Sequence, residues 1–445
     1  MALESLGICQ AVELLSGGNV SALELVEDCL KRVDEYDPAI MAWAWLDPDY
    51  AKRQAEALDA ARRSGKPTGR LHGIPIGIKD IIDTALVPTE HGSEVFKGRL
   101  PKTDAALVDR LRQQGAIVMG KTVTASLATF MPGKTTNPHN HAHTPGGSSS
   151  GSAAAVASYM VPGAVGTQTN GSVIRPASFC GTVGYKPSYG LIPRHGVLKQ
   201  SPFLDQVGVF TRLVEDAAVL AEVMMSHHPE DDATLPHLTP PPLQQICLQD
   251  PPLPAKFGFV KTAIWDQTED ATRQGFEEIV EALGDQVEEV ELPSEFDSLW
   301  ANLKTINEAE MATWYSHIYR NGRKYLDDVT LAQIERGMKT VVPDYLDAMA
   351  HRTRANSILE ELFGQYDALL TPAAPGEAPK GLEATGNPAF CTPWTFCGVP
   401  AISLPLLQGP NELPIGVQLV GDYLDDGRLL RTARWLHQHL LNESD

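Results

Sequence analysis

The chain has 445 residues, of which 43% are hydrophobic and 21% are charged, and its formal net charge is −20. These values are typical of a water-soluble protein with a large core, and the negative charge argues against a nucleic-acid or anionic-membrane partner. The apolar runs are shorter than a membrane span, the N-terminus lacks a signal-peptide pattern, and the cysteines are scattered, which favours a cytoplasmic protein with reduced thiols.

The first part of the chain, residues 1–62, is predicted to form a helical layer. Ser21 and Glu24 match the capping box that begins many helices. Apolar residues then recur at helical spacing at Leu23, Val26, Leu30 and Val33. Such a layer could serve as a dimerisation surface or as a solvated cap, so the pattern leaves a homodimer open.

The segment GIPIGIKDIIDT, which begins at Gly73, changes to a strand pattern. Ile74, Ile76 and Ile78 alternate with small residues, and the run ends at Lys79. A buried lysine can lose its proton through desolvation, and the neutral amine is a competent base. The structural alternative is a strand-end lysine that reaches back to water.

The next elements predict an α/β fold. Asp104 to Gln114 has the pattern of an amphipathic helix, and Ala116 to Met119 that of a buried strand. Helices that alternate with buried strands are typical of α/β proteins.

Three histidines alternate in the stretch NPHNHAHTP, at His139, His141 and His143. This spacing on a strand would suit a metal ion, as in a metal amidohydrolase. However, Pro138 and Pro145 bracket the stretch, and its polar residues suit a loop. No further ligands stand at a telling spacing, so the residues favour a loop over a metal site.

Two turns rich in small residues lie between Thr144 and Gly190. The first contains GGSSSGS and leads into an Ala-rich helix, and the second contains Ser172. Small residues allow the backbone to approach a ligand closely, so this stretch is predicted to hold the active site. The first turn also matches G-x-S-x-G with Ser149 as nucleophile, but such an elbow follows a buried strand, whereas a polar loop precedes this one. An elbow-type esterase is therefore an alternative that the residues favour less.

The second half of the chain is predicted to begin with an excursion rich in Pro, His and Asp, from Met225 to Pro254. The stretch FGFVKT and residues Val287 to Leu292 are predicted strands, and Asp270 to Leu283 is a predicted helix between them. A long helical run is then predicted from Ser298 to Phe363.

Three separated stretches resemble the amidase signature family. They are Lys79 after GIPIGI, the GGSSSGSAAAVA loop, and TQTNGSVIRPASFCG. Ser148 lies 24 residues before Ser172 (172 − 148 = 24), which is the family's interval between its two catalytic serines. The similarity covers most of residues 20–440 and is weakest between about 225 and 365.

The resemblance implies a set of catalytic residues. Ser172 would be the nucleophile that forms an acyl-enzyme, and Ser148 would be its base, relayed to a neutral Lys79. The Gly147–Ser148 peptide bond is expected to be cis. The mechanism implied by the family needs no metal and no organic cofactor.

The resemblance also implies binding residues around the nucleophile. The backbone N–H groups of Thr169, Asn170, Gly171 and Ser172 would form an oxyanion hole. Asn170 replaces a glycine that is usual in the family, and Ser126 stands where relatives often have Glu. Arg175 is a candidate substrate-binding residue for a carboxylate, and the alternative is that it supports the turn structurally.

The fold implied by the resemblance is α/β, with a mixed twisted sheet between helical layers in a single amidase domain over residues 1–445. Residues 225–365 would form a divergent insertion that shapes the substrate pocket. The implied activity is hydrolysis of an amide or urea-type C–N bond of a small-molecule substrate. The alternative within the family is the glutaminase-type subunit of an amidotransferase complex.

Overall fold

A mixed sheet of eleven strands forms the centre of the computed structural model, which describes residues 3–236 and 239–442. In spatial order the strands are β1-β3-β2-β4-β6-β5-β10-β11-β9-β7-β8, numbered along the chain. Their bounds are β1 Trp43–Leu46, β2 Pro75–Lys79, β3 Ile117–Thr122, β4 Gly163–Gln168, β5 Val183–Lys186, β6 Gln206–Thr211, β7 Phe257–Val260, β8 Val287–Val290, β9 Ala368–Pro372, β10 Ala401–Gln408 and β11 Pro414–Val420. The α/β prediction is confirmed.

Helices flank the sheet. Their bounds are α1 Ile8–Ser16, α2 Ala22–Ile40, α3 Pro48–Arg63, α4 Ala106–Gln113, α5 Ser150–Ala157, α6 Ile174–Cys180, α7 Val214–Met224, α8 Leu243–Cys247, α9 Asp270–Leu283, α10 Leu299–Trp314, α11 Ser316–Gly322, α12 Asp328–Gly337, α13 Val342–Phe363, α14 Thr392–Cys397 and α15 Asp426–Asn442. None of the described helices combines the length and apolar character needed to cross a bilayer.

Strands β2 and β4 run parallel as neighbours, with Ile76 opposite Gly163 and Ile78 opposite Val165. The carboxyl ends of parallel strands meet at one edge of a sheet, where α/β proteins commonly bind ligands. Lys79 ends β2 and Gln168 ends β4, so this pairing brings the lysine beside the turn that contains Ser172.

Helices α5 and α6 follow the two small-residue turns, and their side chains are almost entirely buried. Such burial requires close backbone approach. A Cβ at Gly151 in α5 would lie 2.2 Å from the carbonyl oxygen of Ala42 and 2.4 Å from the amide nitrogen of Val123, so only glycine fits. The turns before both helices are therefore fixed by a packed interior.

The N-terminal region confirms the predicted capping box. The amide of Glu24 donates to Ser21 Oγ at 3.2 Å, and the amide of Ser21 donates to Glu24 Oε2 at 2.8 Å. The region is not wholly helical, however, because β1 lies between α2 and α3 and pairs antiparallel with β3. The prediction missed β1 because a four-residue strand is too short for a periodic pattern.

The predicted excursion between Met225 and Pro254 also needs correction, apart from residues 237 and 238, which lie outside the described part. Helix α8 forms within it, and Leu243 and Cys247 are fully buried in the main core. The helix packs against α7 and α15. A five-residue helix after a run of prolines gives little periodic signal, which explains the error.

Candidate active site

Lys79 is fully buried, and it forms no ion pair with any described residue. Its Nζ atom lies 2.8 Å from Ser148 Oγ and 2.8 Å from Thr167 Oγ1. Burial lowers the pKa of Lys79 well below its ordinary value, and the charge of Asp205 partly opposes this shift. A neutral amine in direct contact with a serine hydroxyl can accept the proton of that hydroxyl.

Ser148 follows a cis peptide bond from Gly147, as predicted. The backbone around it is held on both sides, because the carbonyl of Ser148 accepts from the amide of Ala125 at 2.9 Å and the carbonyl of Gly147 accepts from Arg175 Nη2 at 2.6 Å. Gly146 has φ +80°, and a Cβ there would lie 2.8 Å from Pro176 Cα. The position therefore requires glycine both for its torsion and for its packing.

The hydroxyl of Ser149 belongs to the scaffold. Its Oγ donates to the carbonyl of Thr167 at 3.1 Å and accepts from the amide of the same residue at 3.3 Å. The side chain is fully buried, and α5 begins directly after it, without a preceding strand. This geometry does not support a nucleophile elbow.

The turn from Thr169 to Ser172 presents its amides without protein acceptors. Among the described residues, none of these four N–H groups donates a hydrogen bond to the protein. The next two amides, of Val173 and Ile174, donate to Gln168 Oε1 at 2.7 and 3.0 Å. Because Gln168 accepts from the amides of Val173 and Ile174, the amides without an acceptor are those of the turn 169–172, which carries Ser172. Adjacent free amides of this kind can bind a developing oxyanion.

Two threonines of α14 hold Asn170 in place through hydrogen bonds. Its side-chain Oδ1 accepts from Thr392 Oγ1 at 2.7 Å, and its carbonyl accepts from Thr395 Oγ1 at 2.5 Å. It is absent from the residues with positive φ, so the turn does not need glycine at this position. Gly171 is required for packing, since a Cβ there would lie 2.9 Å from Pro388 Cβ.

Asp205 supports the same turn, and the sequence reasoning missed it. Its Oδ1 accepts from Thr169 Oγ1 at 2.6 Å, and its Oδ2 accepts from the amides of Gln200 and Ser201, each at 2.9 Å. Burial raises the pKa of Asp205 to about 6, and the hydrogen bond from Thr169 and the charge of Arg194 oppose this shift. The only signal in the sequence was its place in SPFLDQVG, a stretch that resembles the family.

Arg175 is buried and bonds the backbone of Gly147, directly before Ser148. Its Nη2 donates to the carbonyl of Gly147 and, at 3.1 Å, to Thr385 Oγ1. Its Nε and Nη1 have no partner among the described residues. Burial lowers the pKa of Arg175 to about 10, so the guanidinium still carries its charge at neutral pH. The side chain thus supports the cis peptide and keeps two donors free.

A small cavity opens in front of Ser172 and is bordered by the turn 169–172 and by Arg175. Phe130, Gln200 and Asn307 also line it. Gln200 Nε2 donates to Asn307 Oδ1 at 3.2 Å, whereas Gln200 Oε1 has no partner in the described part of the chain. The cavity is therefore lined by polar side chains, two of which, Arg175 and Gln200, carry buried atoms without a partner in the described part of the chain.

The structure brings Lys79 and Ser148 into direct contact and places Arg175 against the peptide bond before Ser148. Ser172 is partly buried in the neighbouring turn and forms no hydrogen bond with Lys79 or Ser148. Ser126 begins a short 3-10 turn, and its amide donates to the carbonyl of Met131 at 2.9 Å. It lies outside the residues that border the Ser172 cavity.

The three histidines of the predicted loop each contact the protein backbone. His139 Nε2 pairs with the carbonyl of Cys180 at 2.9 Å, His141 Nδ1 with that of Asn137 at 3.1 Å, and His143 Nδ1 with that of Ala378 at 2.7 Å. In the described residues they belong to no group with metal-binding geometry. The loop prediction is confirmed.

Sequence comparison assigns residues 24–430 to the family model described as Amidase. The chain is 31% identical to a glutamyl-tRNA(Gln) amidotransferase subunit from Halothermothrix orenii, a match that covers 99% of this chain and 98% of that protein. It is 33% identical to the corresponding amidotransferase subunit from Chloroflexus aurantiacus, with 97% and 96% of the two chains covered.

Solved structures give the same result. A chain described within a vestigial protein complex that bears on the origins of an s-triazine catabolic enzyme matches with a TM-score of 0.90 and 26% identity, over 99% of this chain and 98% of that one. The peptide amidase of Stenotrophomonas maltophilia matches with a TM-score of 0.84 and 26% identity, over 98% and 97% of the two chains. The chain belongs to the amidase signature family and is an enzyme of the amidase class.

Proposed function

We propose that the protein hydrolyses a C–N bond of a small amide or urea-type substrate through an acyl-enzyme on Ser172. The observation that carries this proposal is the contact between the buried Lys79 Nζ and Ser148 Oγ at 2.8 Å. A lysine without an ion pair in a desolvated site is set up as a base rather than as a fixed charge. Ser148 would relay the proton of Ser172 to Lys79.

The reaction begins when Ser172 Oγ attacks the substrate carbonyl. Its proton passes to Ser148 Oγ while the Ser148 proton passes to Lys79 Nζ, so Ser148 ends as a neutral hydroxyl and Lys79 as an ammonium. The carbonyl oxygen becomes an oxyanion, and the free amides of the turn 169–172 would stabilise it. Lys79 then returns a proton through Ser148 to the leaving nitrogen, and ammonia or an amine departs. Water attacks the acyl-enzyme by the same proton route and regenerates Ser172.

The Ser172 cavity supports a small polar substrate. Arg175 is the charged side chain that borders it, and its two unpartnered nitrogens can donate to a carboxylate or a carbonyl. On a protein with net charge −20, an anionic substrate depends on such a local positive group, since the overall field repels it. Short carboxylated amides or ureas are therefore the substrates to assay first.

The deciding experiment measures ammonia release by the purified chain from a panel of small amides and ureas, with and without a terminal carboxylate. We expect turnover of at least one member by the wild-type chain and none by Ser172→Ala. Activity that survives Ser172→Ala would contradict the proposal. Release that disappears on chelation and returns with zinc would instead favour a metal amidohydrolase.

A second function is favoured by the relatives named as amidotransferase subunits, which match nearly the full length of the chain. In that case the chain would release ammonia from an amide donor within a complex. Gel filtration of the recombinant chain combined with the same ammonia assay separates the two functions. A chain that is active without other proteins supports the free-standing amidase, and a chain active only with partner subunits supports the second function.

A further inference from the structure

A group of side chains remote from the proposed reaction converges on the protein surface. It comprises His195, His228 and Glu230, and one ligand atom from each lies within 4.8 Å of the other two. His195 Nδ1 is 3.3 Å from Glu230 Oε2. The two imidazole rings are stacked, with centroids 4.3 Å apart and planes 16° from parallel. The proposed acyl transfer uses none of these residues.

The geometry points to a binding site for one divalent transition-metal ion, which we call the His195 site. Two imidazole nitrogens with one carboxylate oxygen suit Zn²⁺ and its neighbours Co²⁺ and Ni²⁺, whereas Mg²⁺ and Ca²⁺ prefer oxygen ligands. Bonds of about 2.0–2.1 Å in a tetrahedron place ligand atoms about 3.4 Å apart. The contact between His195 and Glu230 already has this length, so His228 is the ligand that must close in.

The ring stack has to open before one ion can bind both histidines, because an imidazole binds a metal in its own ring plane and these two planes are nearly parallel. His228 Nδ1 accepts from the amide of Glu230 at 3.2 Å, in an exposed part of the loop. Water can replace that contact, so the nitrogen is free to turn to an ion.

Two surface cavities give an ion access to the site. His195 and His228 border one cavity together with Asp104 and Asp109, and His195 and Glu230 border a second. Asp231 and Asp232 also line the second cavity. Of the arginines nearby, Arg194 is paired with Asp231 and Arg110 donates to the carbonyl of Val223 at 3.1 Å. Asp104 is paired with Arg112, and Lys199 also lines the second cavity, so the attraction for cations comes chiefly from Asp109, Glu230 and Asp232 on a chain of net charge −20.

An ion at the His195 site would join the segment that carries His195 to the segment that carries His228 and Glu230. The first of these segments contacts residues that support the turn 169–172. Arg194, next to His195, bonds Asp231 through Nη2 at 2.7 Å and the carbonyl of Asp205 through Nη1 at 3.0 Å. Asp205 in turn accepts from Thr169, in the turn proposed to bind the oxyanion. The ion therefore stabilises the fold around that turn and takes no part in the chemical step.

Metal binding to the chelator-treated full-length protein tests the inference directly. Isothermal titration with Zn²⁺ should give one saturable site, Co²⁺ should give a visible absorption band, and the melting temperature should rise by a few degrees with Zn²⁺ and not with Mg²⁺. His195→Ala and His228→Ala should each abolish the saturable site. Ammonia release should continue after chelation, because Lys79 and the serines need no ion.

Matched variants at other histidines serve as controls. His227→Ala, beside the site but bonded to Thr234, and His141→Ala, in the separate histidine loop, should both keep the binding. If His195→Ala does not fold, His228→Gln and Glu230→Gln should each weaken Zn²⁺ binding at least tenfold in a folded protein. The absence of stoichiometric binding, or binding unchanged in the folded His228→Gln variant, overturns the inference. Loss of binding in His141→Ala would place the ion in the other loop and also overturn it.

Discussion

Lys79 and Ser148 are joined by a 2.8 Å contact between Nζ and Oγ in the interior of the protein. The lysine reaches this position because β2 ends beside β4, and the serine lies in the turn before α5, where its carbonyl accepts from the amide of Ala125 at 2.9 Å. Thr167 fixes the Lys79 amine from a second side through Oγ1. The base of the proposed reaction is thus held by two strands and a turn.

The first prediction concerns pH and Lys79. Only the neutral amine accepts a proton from Ser148, so kcat/KM should rise with pH as Lys79 loses its proton and then reach a plateau. Because burial lowers the pKa of Lys79 well below the ordinary value of 10.5, the rise should be complete well below that pH. Lys79→Arg should be inactive at every usable pH, since arginine stays protonated.

The control for this prediction is Lys121, a second fully buried lysine, which donates to Thr89 Oγ1 at 2.7 Å outside the Ser172 cavity. Lys121→Met should lower stability but keep the pH profile of the folded fraction. An active Lys79→Arg variant, or a profile that does not change with pH, would remove Lys79 from the mechanism.

The second prediction is that Lys79→Met changes how stability depends on pH. Between the lowered pKa of folded Lys79 and its ordinary value, the unfolded chain binds one more proton, so wild-type stability rises with pH in that window. Methionine removes this contribution. The slope of the unfolding free energy against pH should fall by about 1.4 kcal/mol per pH unit there. Urea unfolding at several pH values measures it, and equal slopes would show that folded Lys79 is charged.

The contact between Lys79 and Ser148 was expected only through the resemblance to the amidase signature family, because the lysine motif by itself does not say which residue the amine meets. Gln168 and Asp205 could not be identified in this way. Gln168 Nε2 donates to Thr395 Oγ1, a residue 227 positions away in the chain, and the role of Asp205 depends on how the turn after β5 folds back. Their functions come from tertiary contacts that no local pattern encodes.

In the fold, too, elements with a repeating local pattern were predicted and the others were missed. The predicted helix from Asp270 to Leu283 agrees with the structure at both ends, because its apolar face repeats over fourteen residues. Strand β1 and helix α8 were missed since each is too short to repeat a pattern. The order of eleven strands mixes parallel and antiparallel neighbours across the whole chain, and only the family resemblance indicated a mixed sheet.

The third prediction separates the two serines of the competing mechanisms. Ser172→Ala should abolish ammonia release with little change in melting temperature, because Ser172 is partly buried and lies in the turn. Ser149→Ala should keep substantial activity but lose about 1 kcal/mol of stability, since it removes the contacts to the backbone of Thr167. Ammonia release and thermal melting on both variants measure this. An active Ser172→Ala with an inactive, folded Ser149→Ala would support the elbow mechanism instead.

The fourth prediction assigns a positioning role to Thr395. Its hydroxyl accepts from Gln168 Nε2 at 2.8 Å and donates to the carbonyl of Asn170, so it connects the residue that caps α6 with the turn 169–172. Thr395→Val should lower kcat by about tenfold, equivalent to about 1.4 kcal/mol, with little change in KM. Thr395→Ser should restore the rate. Thr392→Val, which removes the side-chain contact of Asn170 and a 3.3 Å bond to the carbonyl of Pro388, should have a smaller effect. A rise in KM alone would contradict the positioning role.

The last prediction concerns Arg175, for which we propose both a structural role and a role in substrate recognition. Nη2 is committed to the carbonyl of Gly147 and to Thr385, whereas Nε and Nη1 have no partner among the described residues although the side chain is buried. A buried donor without a partner is costly, so a ligand that accepts from it gains the full interaction. A carboxylate matches the planar fork and the retained charge better than a neutral amide does.

Arg175→Lys keeps the charge but cannot bond the Gly147 carbonyl and a substrate group in the same fork geometry. Paired substrates that differ only in carboxylate against carboxamide distinguish the two roles. Substrate recognition predicts that KM rises at least tenfold for the carboxylated member alone. An equal loss of kcat for both substrates, with a lowered melting temperature, would show that Arg175 acts only by holding the cis peptide. Thr385→Val removes one partner of Arg175 Nη2 and leaves Nε and Nη1 unchanged, so it should affect both substrates equally. The size of its effect on kcat shows how much of the Arg175→Lys effect comes from the structural role.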